Sequence, residues 1–203
     1  MKKIMFSTEY GLQQGVIAGT KTMTRRVDKN LNHPLVTDIS EWGIDDKGKC
    51  YLVITYSTGL TEDVYPPYQI GEEIAIAQPY KTLIEQGYLC RESDGWVNEK
   101  YIVSAGYQNK MLVAAEYMPH RIRITDIKVE RLQDISEEDA MKEGVEKWMD
   151  GYIVTGIMER HGQNNAWFKS PRDAFFRLFT KLCGYKAWNS NPWVYAYTFE
   201  LVR

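Results

Sequence analysis

Residues 121–144 read RIRITDIKVERLQDISEEDAMKEG, and within this stretch the apolar period changes from that of a strand to that of a helix. Apolar and polar residues alternate from Ile122, which predicts a half-buried strand. The alternation slips by one residue at Ile127, as it does where a β-bulge adds a residue to a strand. Ser136 then predicts a helix cap and Gly144 a helix stop, so a strand, a bulge and a short helix are expected in this order.

The same signals occur on both sides of this stretch. Ser7 predicts the cap of a helix that ends before Gly19, and the alternation at 72–78 predicts a strand. Ser170 starts a helix, and the chain closes with an alternating strand at 193–201. The apolar stripe of the late helix consists of Phe175, Leu178, Phe179 and Leu182. Five or six strands and three short helices, without a βαβ repeat, predict an α+β fold around a small β-barrel or curled sheet.

The chain has 203 residues, a length that suits one domain over 1–203. Residues 28–48 are predicted to form a loop, 81–110 an inserted hairpin and 145–169 an irregular insertion. Apolar residues make up 44% of the chain and charged residues 26%, which excludes bulk disorder, collagen-like repeats and a coiled coil. The net charge of −2 excludes a global basic field, so binding of nucleic acid would require a local basic patch.

Cysteine usage and the first residues favour a cytoplasmic protein. The cysteines are Cys50, Cys90 and Cys183, with no Cys-x-x-Cys pair, as expected for thiols in a reducing compartment. The N-terminus turns polar too quickly for a secretory signal, and no apolar window is long enough for a membrane span. None of the three histidines lies in a metal-binding spacing, so neither a metal site nor a cofactor is expected.

Residues 19–26, GTKTMTRR, hold three cations and three hydroxyls directly after the first predicted helix. In an extended chain Thr24 and Arg26 share one face, and Lys21 and Arg25 share the other. In a turn, Lys21 and Thr24 converge. Ammonium, guanidinium and hydroxyl groups suit a phosphate or a nucleotide, and the alternative is a solvated basic edge.

Two further sets of polar residues are candidates for the same ligand. Arg121 and Arg123 are either a second basic group or ordinary solvent-facing residues of the central strand. Gln78 continues an inward row of isoleucines, which places it at a barrel mouth or at a strand end with local hydrogen bonds. Glu143 follows Ala140 by three positions, so its carboxylate is expected near the inward side of the helix, where a cavity could lie.

Five motifs in order resemble the ASCH domain family, relatives of the PUA RNA-binding fold, in its phage and prophage branch. Residues 19–25 are similar to its glycine–x–lysine–x–x–threonine/glutamate–x–arginine signature. Residues 67–76, PYQIGEEIAI, are similar to its PYQxGDxLWVRE strand. Residues 123–140 look like its ITxVxVERLQDISEEDA run, and 171–175 with 188–194 complete the pattern.

The resemblance implies a PUA-like β-barrel with flanking helices and a cleft lined by the glycine–lysine motif. It implies binding of RNA, a nucleotide or a modified nucleoside. A small bacterial branch of the family hydrolyses the amide of N4-acetylcytidine with a lysine, a threonine and a glutamate, which map here onto Lys21, Thr24 and Glu143. This chain is much longer than that branch, so insertions near 28–65, 81–118 and 145–169 are expected to cover or reshape the cleft.

Three functions remain open at this point. The leading expectation is RNA or nucleotide binding, with Lys21, Arg25, Arg26 and Arg121 on phosphate. The residues expected around the ligand are Gly19, Lys21, Arg25, Arg26, Gln78, Arg121 and Arg123. The alternatives are an amidohydrolase acting on an acylated nucleoside through Lys21, Thr24 and Glu143, and a module that binds phage or host proteins through the insertions. A hydrolase needs those three side chains together, whereas a binding module needs only the cations.

Overall fold

The computed structural model of the chain describes residues 1–89, 97–158 and 166–202, so Cys90 and His161 lie outside the described residues. The fold is α+β, with strands in sheets and a few helices. The strands are β1 Lys3–Ile4, β2 Met23–Val27, β3 Val36–Ile44, β4 Cys50–Tyr56, β5 Thr61–Val64, β6 Glu73–Ile76, β7 Arg121–Arg131, β8 Glu146–Trp148, β9 Gly151–Ile153 and β10 Trp193–Val202. The helices are α1 Leu12–Ala18, α2 Tyr80–Glu85, α3 Glu99–Ile102, α4 Glu137–Lys142, α5 Pro171–Cys183 and α6 Tyr185–Asn189.

The main sheet has the order β1-β6-β7-β10-β2, with β1 parallel to β6 and the other pairs antiparallel. Its centre is β7 paired with β10, the two longest strands of the sheet. No pairing between described residues joins the edge strands β1 and β2, so a closed PUA-like barrel stays a prediction. The edge position of β2 matters below, because the basic motif lies on it.

The bulge expected in the central strand is confirmed. Thr198 of β10 pairs with Asp126 and the next residue, Phe199, pairs with Ile124, so one residue of β7 has no partner. The extra residue returns the apolar side chains that follow it to the buried face of the strand. Ile122, Ile124 and Ile127 are therefore all buried in the main core.

The first helix ends where the sequence predicts, but it begins later. Gly19 adopts φ 77°, the left-handed conformation that stops a helix without strain. The helix starts after Gly11, at φ 63°, and not at Ser7. Ser7 does not cap it with its side chain; its carbonyl accepts the Gln13 N–H at 3.1 Å. From Gly19 the chain turns into β2 while the Thr22 N–H bonds to the Lys142 carbonyl at 3.0 Å, which ties the basic motif to the end of α4.

One predicted segment differs from expectation, and another is only partly described. Residues 28–48, predicted as a loop, contain β3, which pairs with β4 and β5 in a second sheet. The described part of 81–110 contains α2 and α3, and the turn expected at 94–95 lies outside the described residues, so the hairpin stays a prediction. The described part packs around a small cluster of Leu83, Val113 and Met118. In 145–169, β8 and β9 form a short hairpin.

Helix α5 is confirmed at both ends. The Ser170 hydroxyl accepts the Asp173 N–H at 3.1 Å, Pro171 takes the first turn and Gly184 ends the helix. Phe175, Leu178 and Phe179 are buried as predicted, but Leu182 is 45% exposed because it lies in the last turn. No helix within the described ranges is both long and apolar enough to cross a membrane.

Candidate functional site

A cavity of about 420 Å³ lies between β2, the segment Met5–Ser7 and the inner face of α5. Its apolar wall is formed mainly by Phe6, Leu12, Phe175, Leu178 and Phe179. Its polar lining includes Lys21, Thr24, Arg25, Arg26 and Glu143. Small-molecule sites usually have volumes of roughly 300–1,000 Å³ and combine an apolar wall with a few converging polar groups.

Lys21 lies at the floor of this cavity and is only 2% exposed. Its Nζ is 2.7 Å from each of three acceptors: the Met23 carbonyl, the Glu143 carbonyl and Glu143 Oε2. Burial lowers the pKa of Lys21, the Glu143 carboxylate raises it, and the balance stays below the ordinary lysine value. Lys21 is therefore held rigidly beside a carboxylate and loses its proton more easily than an exposed lysine does.

Glu143 also bonds to a second cation. Its Oε1 accepts from Arg25 Nη1 at 3.2 Å, while its Oε2 faces Lys21. The helix α4 places it there: Ser136 Oγ caps the first turn by accepting the Asp139 N–H, as predicted, and the backbone of Glu143 closes the last turn. The inward position expected from its spacing to Ala140 is confirmed, since Glu143 is 4% exposed.

Arg25 is the hub of a buried ion-pair network. Its guanidinium bonds to Asp139 at 3.0 Å and to Glu130 at 2.5 Å, in addition to Glu143. Lys128 pairs in turn with Asp139 and Glu130. The network joins Lys21, Arg25 and Lys128 to Glu130, Asp139 and Glu143, and Lys142 links Asp139 to Glu138 at its border. Four cations thus face four carboxylates, and the network has no net charge. Such balance keeps buried charges tolerable.

Thr24 adds a hydroxyl to the cavity. Thr24 and Arg25 are neighbours on β2, and both line the cavity. Among the described residues, the Oγ1 of Thr24 has no hydrogen-bond partner, although Thr24 is only 5% exposed. An unpaired hydroxyl at a cavity wall is available to a ligand.

Among the described residues, Arg26 is the cation of the basic motif that has no carboxylate partner. Its Nη2 donates to the Met5 carbonyl at 2.6 Å, and its Cζ lies 5.6 Å from the centre of the Phe6 ring. Its Nε is buried and has no partner among the described residues. Arg26 therefore keeps hydrogen-bonding capacity at the cavity.

Four residues expected around the ligand do not line this cavity. Gly19 forms the exposed turn before it. Gln78 is fully buried beside the small second cluster, where its Nε2 bonds to Gln86 at 3.2 Å. Arg121 and Arg123 pair with Glu73 at 4.0 Å and 2.8 Å, and these pairs satisfy the charges expected to hold phosphate.

Sequence reasoning missed Glu130, Asp139 and Lys128. Lys128 and Glu130 occupy positions on β7 between its buried residues, so the sequence predicts that they face solvent. The sequence predicts Asp139 only as part of a helix cap. Their role depends on register, since Ala196 of β10 lies between Arg25 on one side and Lys128 on the other. No signal within a single strand reports that arrangement.

No family model matches the chain, and comparison with curated proteins and with solved structures finds no significant match. No group of three or more histidine, cysteine or acidic side chains within the described ranges is arranged to hold a metal ion. The function is therefore inferred from the side chains of the cavity.

Proposed function

We propose that this cavity hydrolyses an amide bond of a small molecule, with acylated nucleosides such as N4-acetylcytidine as the first substrate class. One observation carries the proposal: the 2.7 Å contact between Lys21 Nζ and Glu143 Oε2 lies in a cavity that an unpaired Thr24 hydroxyl also lines. The spacing of the basic motif and its resemblance to ASCH proteins support the same assignment, with a PUA-like fold as part of the proposal.

Phosphate binding by the whole basic motif is less well supported. Lys21 and Arg25 are buried, and their donors are already bound to carboxylates and carbonyls. Arg121 lies away from the cavity and is paired with Glu73. A phosphodiester chain that displaced these partners would leave buried carboxylates unpaired, at a cost of several kcal/mol.

The proton chemistry follows from the three contacts of Lys21. The two backbone carbonyls require N–H donors, which both the charged and the neutral amine possess. The third contact, to Glu143 Oε2, is satisfied with the proton on either atom. The pair can therefore accept one proton and release another without breaking its hydrogen bonds, and the lowered pKa of Lys21 favours this exchange.

In the first step, Thr24 Oγ1 attacks the amide carbonyl carbon. A new C–O bond forms and the C–N bond breaks. The hydroxyl proton passes to the Lys21–Glu143 pair through one water in the cavity, since Oγ1 makes no direct hydrogen bond to either group, and the pair returns a proton to the leaving nitrogen. The products are an ester on Thr24 and a free amine.

In the second step, water attacks this ester. The bond to Oγ1 breaks, one proton of the water returns to Oγ1 through the pair, and the carboxylic acid leaves. Arg25 acts as a positioning residue because it holds the second oxygen of Glu143. The aromatic side chains of Phe6 and Phe175 offer faces for a base or an acyl group.

The test is incubation of the protein with N4-acetylcytidine and a panel of acylated nucleosides, with the released amine quantified. We expect turnover by the wild type and a loss on the order of 10⁶-fold in Thr24→Val, which removes the nucleophile and keeps the shape of the side chain. Thr24→Ser retains the hydroxyl and is the matched control. The absence of turnover by the wild type across the panel, or unchanged turnover by Thr24→Val, would overturn the proposal.

A further inference from the structure

Two cations beside the cavity donate to consecutive backbone carbonyls, and within the described ranges neither has an acidic partner. Arg26 Nη2 donates to the Met5 carbonyl at 2.6 Å, and Lys110 Nζ donates to the next carbonyl, that of Phe6, at 2.5 Å. Within the described ranges, neither cation has a carboxylate oxygen within 4.0 Å. The other cations buried at this site, Lys21 and Arg25, do have carboxylate partners.

Most donors of this pair remain free. Arg26 has five N–H groups and Lys110 has three, and each residue uses one on a backbone carbonyl. The Arg26 Nε is buried and unpartnered. Burial lowers the pKa of Lys110, and the charge of Arg26 lowers it further, as expected for two like charges held close together. An anion between them would relieve this repulsion and occupy the free donors.

We propose that Arg26 and Lys110 bind the phosphate of a nucleotide whose base and acyl group occupy the cavity. The proposal rests on the proposed function for the occupant of the cavity, and it makes the preferred ligand a nucleoside monophosphate. Arg26 connects the two parts because it lines the cavity and packs over the Phe6 ring. Lys110 lies in the insertion at 81–118, so the insertion supplies part of the ligand specificity.

The test compares each nucleoside with its 5′-monophosphate in calorimetric binding, for the acetylated and plain forms of cytidine and for the three other common nucleosides. We expect at least one monophosphate to bind the wild type about tenfold or more tightly than its nucleoside. Arg26→Gln and Lys110→Gln should each narrow this difference between monophosphate and nucleoside, and the double variant should abolish it. Lys110 does not line the cavity, so Lys110→Gln should leave the affinity for the nucleoside the same.

Lys3→Gln is the matched control, because Lys3 Nζ also donates to carbonyls of the same insertion, those of Met111 and Val113. Lys3→Gln should leave the difference in affinity between monophosphate and nucleoside unchanged. The inference is overturned if no monophosphate binds more tightly than its nucleoside, or if the difference survives in the double variant. Binding of plain monophosphates does not require hydrolysis, so a preference for them without turnover would refute the proposed hydrolase and leave the phosphate site standing.

Discussion

Glu143 gives each of its oxygens to a different cation, Oε2 to Lys21 and Oε1 to Arg25. Neither oxygen can rotate away without leaving a buried cation short of a partner. The carboxylate is therefore fixed in direction before any ligand arrives. Such fixing matters for a group that has to receive and deliver a proton at a defined position.

The effects of substituting Lys21 and Glu143 on the free energy of unfolding should be strongly coupled. Lys21→Met and Glu143→Gln each leave the other charge buried and short of a partner, and each should lower the free energy of unfolding by about 3–5 kcal/mol. The double variant removes both charges, so its loss should be clearly smaller than the sum. Urea unfolding of the four proteins measures this. Losses that add within about 0.5 kcal/mol would show that the two groups act independently.

The rate of amide hydrolysis should rise with pH. The Lys21–Glu143 pair accepts the Thr24 proton more readily as Lys21 loses its own, and burial holds the pKa of Lys21 below its ordinary value of about 10.4. The rising limb of kcat/KM should therefore have its midpoint below that value. A pH profile of the wild type measures it, with Thr24→Ser as the control that keeps the limb. A profile that is flat over the whole neutral to alkaline range would contradict this role.

At this scale, motif spacing and resemblance selected Lys21, Thr24 and Glu143 as candidates and left open whether they come together; all three line one cavity. The sequence did not indicate that the Arg25 guanidinium is already bound to carboxylates. Those carboxylates come from β7 and α4, more than a hundred residues further along the chain. Spacing along one strand carries information about faces, but pairing across strands decides which charges meet.

At the scale of elements, the Arg25 network joins the edge strand β2 to α4 and β7. Burial raises the pKa of Asp139, but Lys128 and Arg25 together lower it more, so the net pKa lies below the ordinary aspartate value. A carboxyl group with a depressed pKa stabilises the folded state above its unfolded pKa, about 3.9, and this contribution is lost as the pH falls below that value.

Asp139→Asn should therefore destabilise the protein by about 3 kcal/mol at neutral pH, because it leaves Arg25 and Lys128 short of a carboxylate. The difference from the wild type should shrink as the pH falls below about 4. Thermal or urea unfolding across pH measures both effects. Glu138→Gln is the control, since Glu138 on the same helix bonds only to the exposed Lys142. A difference that is independent of pH would contradict the ionised pairing.

Helix α5 should contribute to the core through one face only. Phe179→Ala should cost about 3–5 kcal/mol, because Phe179 is 6% exposed and packs in the main core. Leu182→Ala, at an exposed position of the same helix, should change the free energy of unfolding much less. Chemical unfolding compares them. Equal losses in the two variants would show that the inner face of α5 has been assigned wrongly.

Elements were predictable where one local signal dominates. Ser170 and Pro171 fix the start of α5, and the slip at Ile127 revealed the bulge. The predicted loop at 28–48 failed because Asn30 and Asp45 mark the turns at its two ends, while the strand between them is largely polar on its outer face. Helices α2 and α3 were not predicted because the glycines near them suggested turns.

At the scale of the molecule, one core joins the main sheet, the second sheet and α5. Leu52 and Ile54 of the second sheet pack in the same cluster as Phe175 and Tyr195. The small cluster of the 81–118 insertion includes Ala75 of β6, so it is anchored on the main sheet. The segment 28–65 and the described part of 81–118 are thus structural parts of the fold.

Unfolding should accordingly be a single cooperative transition. Tryptophan fluorescence and far-ultraviolet circular dichroism should report the same urea midpoint, because no large part of the fold has a separate core. Leu83→Ala, in the small cluster of the insertion, should shift both signals together. An earlier transition in one signal alone would show that the insertion unfolds independently.

The edge position of β2 has a consequence for solubility. An uncovered edge strand offers free N–H and C=O groups to a second chain, and inward-pointing charges are one of the ways in which proteins block such pairing. Arg26, which lies on this strand, directs its guanidinium to the Met5 carbonyl and so places a charge beside the edge. We therefore expect Arg26 to oppose pairing of this edge with a second chain, in addition to its proposed role in ligand binding.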